Sequence, residues 1–262
     1  MVEGEDRLPQ KGNFSTMKTM KLAVPLVALC ADGAAVAQVP DHVTIGLAGV
    51  AVPDFQGAKD YRTLPFPLLD IKKGRFFANL NNGIGLNAID TGSFQIGGGV
   101  TFVRGYRGRD VPRGIGRLKN TAGARLFAST NLSGFSATLG ATKSTGATKG
   151  TTADLRIAYA MPMGARFSIT PAVATSWADS KYMRGYFGVN AAQAAASGLP
   201  FYRPKSGFKD VTGSVTANYR IGQRWNLTGM VGVSRLVDDA ADAPIVERRS
   251  QPIGMSGLSY NF

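Results

Sequence analysis

The sequence predicts an all-β protein: a closed antiparallel up-and-down transmembrane β-barrel of about twelve strands, with a short helix in a long outer loop. Three observations predict it. A stretch near the start reads as an export signal. The remainder alternates apolar and polar residues with a period of two. The chain stops on GMSGLSYNF, residues 254–262, where Leu258, Tyr260 and Phe262 occupy every second position. Chain ends are usually frayed and polar. A final strand with an apolar row and a terminal aromatic therefore needs a partner and an apolar medium.

The export signal runs MKTMKLAVPLVALCADGAAVAQ from Met17. Lys18 and Lys21 make a positive start, Leu22 to Ala31 an apolar stretch, and Ala35-Val36-Ala37 a small-residue cleavage site before Gln38. The apolar stretch is shorter than the ~20 residues of a spanning helix. The alternative is a short anchor or a buried helix. Residues 1–16 are acidic and precede the positive start, so they read as an over-called start, with Met17 or Met20 the true one. The expected organisation is a signal peptide over 17–37, cleaved between Ala37 and Gln38, and a barrel over 38–262. Cys30 is the sole cysteine and leaves with the signal, so no disulfide and no cysteine metal site is expected.

The net charge is +13, and residues 1–37 hold four basic and four acidic residues, leaving 26 basic against 13 acidic beyond them. Such a balance often marks a nucleic-acid binder. Export argues against that and points to other polyanions: lipopolysaccharide phosphates, anionic headgroups and murein carboxylates.

Taken in order, candidate strands fall at 43–52, 63–70, 74–80, 84–89, 94–103, 122–131, 135–143, 151–160, 165–177, 209–221, 224–236 and 253–262. Pro65 and Pro67 weaken 63–70 as an interior strand. The cleanest alternation is VTGSVTANYRI at 211–221, followed across Gly222-Gln223-Arg224 by WNLTGMVGV at 225–233, a tight hairpin. Connections alternate between short ones, such as 131–134 and 161–164, and mostly longer ones at 53–62, 104–121, 143–150, 178–208 and 237–252, with 81–83 the brief member of the second set. An outer-membrane barrel has this asymmetry, with short periplasmic turns and long outer loops. In hydrocarbon every backbone amide must be paired within the protein, so the sheet must close. The last strand then pairs with the first, and Leu258, Tyr260 and Phe262 face outward as the C-terminal signal for barrel assembly. A soluble exported sandwich is the alternative.

Within the loops, FGVNAAQAAASG at 187–198 reads as a short helix, capped by Asn190 with Gln193 three residues on and ended by Gly198. The segment from Arg104 to Lys119 is basic, with Arg104, Arg107, Arg109, Arg113, Arg117 and Lys119 against Asp110. Arginine forks bind phosphates bidentately, so these six are candidate contacts for lipopolysaccharide or other anions; a lumen lining or a solvated loop is the alternative. Asp238, Asp239 and Asp242 lack the spacing of a calcium loop. The single histidine, His42, lies at the start of the first strand, far from any long loop, so no histidine-based catalysis is expected. The sequence thus predicts no catalytic, cofactor or metal site.

Several stretches resemble the MipA/OmpV family (MltA-interacting protein). They are YMRGYFGVNAAQAAASGLPFYRPKSGFKDV at 182–211, YRIGQRWNLTGMVGVSRLVDDAADAPIVERR at 219–249, Val52-Pro53-Asp54-Phe55-Gln56-Gly57, and Leu64-Pro65-Phe66-Pro67. Ala243 stands where the family usually has Ser. The resemblance implies an outer-membrane barrel of a Gram-negative bacterium. It also implies a non-enzymatic role, scaffolding a lytic transglycosylase and a penicillin-binding protein at the murein layer through the short periplasmic turns. A monomer in contact with outer-membrane lipids and lipopolysaccharide is expected, with no nucleic acid and no cofactor. The rival functions are a narrow channel for small polar solutes and a soluble periplasmic binder.

Overall fold

The computed structural model describes residues 41–262 apart from residue 147. The expected signal over 17–37, the Ala37–Gln38 cleavage and the leading residues 1–16 lie outside the described residues. Strand segments follow in the order β1 (His42–Pro53), β2 (Tyr61–Lys73), β3 (Phe76–Asn79), β4 (Gly83–Asp90), β5 (Phe94–Val103), β6 (Thr121–Leu132), β7 (Phe135–Ser144), β8 (Thr151–Tyr159), β9 (Met161–Pro162) and β10 (Phe167–Ala178). Helices α1 (Ser180–Tyr186) and α2 (Ala191–Ser197) precede β11 (Gly207–Ile221), β12 (Trp225–Leu236), α3 (Asp238–Ala241) and β13 (Ser250–Asn261). Segments β8 and β9 pair with β10 in one register, Ala158 opposite Ala172 and Met161 opposite Ile169. They are one strand interrupted at Ala160, so the thirteen segments make twelve strands.

The sheet closes. Thr44 to Ala51 of β1 pair antiparallel with Asn261 to Gly254 of β13, and every other strand pairs with its neighbours in sequence. The wall is inside out relative to a soluble protein. On β6, Arg125 is 6% exposed and Leu126 beside it 70%. Lys72, Asn87, Thr142, Gln251 and Ser259 are buried inward, while Leu47, Val100, Val173 and Val231 face out. Such a wall is stable only where the outside is hydrocarbon. Phe76, Phe94, Phe135, Tyr159, Tyr219 and Trp225 are exposed at the end carrying the short turns, and Tyr61, Phe102 and Phe208 at the end carrying the long loops. These are the two aromatic girdles of a membrane barrel.

Charged pairs line the lumen. Arg125 donates bidentately to Asp154 at 2.7 and 2.9 Å, and Lys72 lies 2.5 Å from Asp90. Gly140 faces the Arg125 guanidinium so closely that any Cβ there would lie 2.2 Å from its Nη2. Near the turn end, Phe77 and Phe127 pack edge to face, ring centres 5.3 Å apart.

All five long loops contribute to a cap over the loop end. Phe55 of the β1–β2 loop, Tyr106 and Ile115 of the β5–β6 loop, Tyr182, Met183 and Phe187 of the β10–β11 loop, and Ile245 of the β12–β13 loop form one apolar core. From the β7–β8 loop, Thr148 is buried, and a Cβ on Gly150 would meet Tyr182 at 2.4 Å. Gln251 pins the first loop to the last strand. It accepts from the Gly57 N–H at 2.9 Å and donates to the Ala58 carbonyl at 2.8 Å.

The helix expected over 187–198 is α2, with the Asn190–Gln193 capping box in place and Gly198 ending it in the left-handed region at φ 73°. Phe187 and Val189 before it are core residues of the cap, not helix. Two helices were not expected. At seven residues, α1 is too short to show a helical period, yet Asp179 caps it by accepting from the Tyr182 N–H at 2.7 Å. The other, α3, is a single turn.

Candidate functional site: a pocket in the barrel wall

The barrel wall is incomplete at one place, and the cause is the length of β3. Its four residues pair only with Asp70 to Lys73 of β2, and the chain then turns at residues 80–82 into β4. Above that turn, among the described residues, Tyr61 to Leu69 of β2 pair with β1 on one edge and with no strand on the other. The Asp54 N–H bond to the Asp60 carbonyl, 3.0 Å, fixes the phase of the β1–β2 ladder. Even-numbered residues of β2 exchange bonds with β1, so Tyr61, Thr63, Pro65, Pro67 and Leu69 turn their backbone groups to the open edge. Pro65 and Pro67 carry no N–H. An interior strand could not spare those donors, but an open edge beside hydrocarbon is where their absence removes a penalty.

Across the gap stands the end of β5 and the loop over residues 104–120, whose arms are joined by a bridge between Tyr106 and Leu118. Between β2 and this loop lies a pocket of about 640 Å³. Its floor is apolar: Val50, Val52, Leu64, Phe66 and Phe102, with Leu118. Alternation places Val50, Val52, Leu64 and Phe66 on the inward face shared with buried Ala48 and Lys72. Phe102 is on the outward face, 67% exposed. The pocket therefore cuts through the wall, joining its inner surface to the membrane side.

Ion pairs close the pocket on the loop side. Arg62 lies 3.3 Å from the Asp54 carboxylate and 3.2 Å from that of Asp110. Arg107 donates to the same Asp110 at 3.0 Å. Burial, and then the neighbouring Asp110 charge, hold the Asp54 carboxyl above its ordinary value. Of the six expected anion contacts, Arg104 is occupied by its own chain, donating to the Pro53 and Asp54 carbonyls at 2.8 and 3.1 Å. Arg104, Arg107, Arg117 and Lys119 line the pocket; Arg109 and Arg113 do not. Arg117 and Lys119 are exposed at its rim, and among the described residues they have no ion-pair or hydrogen-bond partner.

The C-terminal row is outward, as expected: Leu258 is 41% exposed and Phe262 79%. Tyr260 packs edge to face on Trp225 and on Phe262, at 5.0 and 4.9 Å between ring centres, and accepts from Arg224 at 2.8 Å. Two members of the acidic cluster serve the loop itself: Asp239 accepts from the Lys205 N–H and Asp242 from Arg249. Sequence reasoning missed Arg62, Gln251 and the lumen pairs. Their signal was a polar residue recurring on one face of a strand, which is legible only once the face is known to be inward.

The closed twelve-strand ring, apolar outside and charged within, defines an outer-membrane β-barrel protein. A family model described as MltA-interacting protein MipA matches residues 45–262. The chain belongs to that family. It is 28% identical over 109 residues to YiaT, a protein of Escherichia coli (strain K12) named for the outer membrane, covering 42% of this chain and 44% of that one. It is 26% identical over 95 residues to the MltA-interacting protein of Escherichia coli (strain K12), covering 36% and 38%. The matched stretch spans less than half the length of each relative. Among solved structures, the KdgM porin is similar at 12% identity with a TM-score of 0.47, covering 84% of this chain and 99% of that one. The outer membrane protein OprD from Pseudomonas aeruginosa is similar at 10% identity with a TM-score of 0.39, covering 83% and 65%.

Proposed function

We propose that this outer-membrane barrel is a non-conducting scaffold that holds a lytic transglycosylase, and with it a penicillin-binding protein, at the murein layer. The observation that carries the reading is the family match across residues 45–262, in a family described by interaction with MltA. The apolar cap supports it over a channel. A core containing Phe55, Met183, Phe187, Val189 and Ile245, each at most 2% exposed, spans the loop end, where a solute path would need a polar lining. Family and fold are those of non-enzymatic barrel and interaction proteins. The partner enzymes meet the turn end, on the murein side, and the basic loop meets lipopolysaccharide phosphates on the other.

Immobilised barrel should retain a lytic transglycosylase from an envelope extract, and barrels altered in the turns at 133–134 and 222–224 should not. Retention unaffected by those changes, or none with the native turns, refutes the scaffold. Steady ion conductance in planar bilayers would favour the channel.

A further inference from the structure

We propose that the wall pocket between β2 and the 104–120 loop holds one acyl chain of a net-anionic membrane phospholipid, whose headgroup phosphate rests on Arg117 and Lys119. This site rests on the reading of the basic loop as a lipid-phosphate contact and is independent of the murein role. Three features of different kinds meet there. The first is the place: the pocket opens through the wall beside Phe102, on the face that meets the surrounding lipid. A hydrocarbon chain can enter it sideways without crossing water.

The second is the lining. Val50, Val52, Leu64 and Phe66 turn apolar side chains inward, where other inward positions of the wall carry Lys72, Asn87, Arg125 and Gln251, with Phe77 and Phe127 packed near the turn end. The open edge of β2 is built for an apolar neighbour too, since Pro65 and Pro67 remove two of its donors. At about 640 Å³ the pocket falls in the usual range for small-ligand sites.

The third is charge. Among the described residues Arg117 and Lys119 stand unpartnered at the rim, and Arg107 shares Asp110 with Arg62. An apolar slot edged by cations on the headgroup side complements an anionic amphiphile, with tail inward and phosphate at the rim. A neutral hydrocarbon would leave the rim unused. A free phosphate would leave the slot unused.

The test is native mass spectrometry of the purified barrel after exchange from detergent containing phosphatidylglycerol or phosphatidylcholine of identical chains. Native protein should keep one phosphatidylglycerol and hold phosphatidylcholine about tenfold less, the effect of two modest charge contacts. Leu64→Trp, which fills the slot, should keep neither. Arg117→Ser with Lys119→Ser should hold phosphatidylglycerol no better than phosphatidylcholine. Inorganic phosphate should displace nothing. Heat-modifiable migration on a gel confirms that each variant is folded; the rim variant, altered only at exposed side chains, decides the matter should Leu64→Trp fail to fold. Equal retention of the two lipids by native protein, full retention in a folded Leu64→Trp variant, or displacement by phosphate overturns the proposal.

Discussion

At Arg125, alternation along β6 puts a permanent cation into the lumen, and four groups hold it. Asp154 takes it bidentately, Thr142 and Asn82 accept at 3.1 Å, and Gly140 leaves the space. Removing the carboxylate leaves a guanidinium that cannot lose its proton. Asp154→Ala should cost about 2–3 kcal/mol in a urea unfolding curve; this is below the ~3–5 kcal/mol of a fully buried pair because Asp154 is a third exposed. Gln251 is a neutral counterpart. Gln251→Ala strands the Gly57 N–H and the Ala58 carbonyl and should cost about 1–3 kcal/mol. The loss should appear as faster protease cleavage near Lys59. Tyr182 and Tyr186 of the cap stack with ring centres 5.7 Å apart, and burial pushes their phenols, with that of Tyr106, well above the ordinary value. In the unfolded chain these groups deprotonate near pH ~10. As pH rises through that value the unfolded state releases protons that the folded state retains, so alkali destabilises the cap. An ultraviolet titration should show a first wave from exposed tyrosines and a later, steeper wave that coincides with cap opening. A single wave near pH 10 would contradict the packing described.

At the scale of elements, β2 shows how two local signals that pull apart can both hold. Pro65 and Pro67 argue against an interior strand, and the segment is nevertheless a thirteen-residue strand. Both facts hold because β3 is too short to reach the prolines, which leaves that edge open. The length of β3 is set by where its turn falls; the expected break between 80 and 84 lies close to that turn, but no motif in residues 74–90 announces that it leaves the β2 edge open. The loop elements behave differently. The capping pattern around Asn190 made α2 visible, whereas α1 is fixed by burial of Tyr182, Met183 and Tyr186 against residues distant in sequence. Met183→Asp places a charge in that core. It should make the long loops cleavable by protease while the barrel keeps its heat-modifiable migration, because the wall ladder does not pass through the cap. Loss of the folded band would show that cap and wall form one cooperative unit.

For the whole molecule, the decisive feature is the seam between β1 and β13. At Gly46 a Cβ would lie 2.3 Å from the Leu258 carbonyl and 2.6 Å from Ser259. Gly46→Val should therefore keep the ring from closing, and gels should show only the unfolded band with no heat-modifiable form. By itself the sequence determined the class of fold, the strand order, the alternation of short and long connections and the outward row Leu258, Tyr260, Phe262. These depend on a period of two and on turn residues, which are local. Only the tertiary structure decided which polar residues pair across the lumen, that the long loops share one apolar core, and that the wall opens beside β2. Those depend on which strand stands next to which and how far each runs, and in a sheet closed upon itself that is set by the whole ring rather than by any one segment.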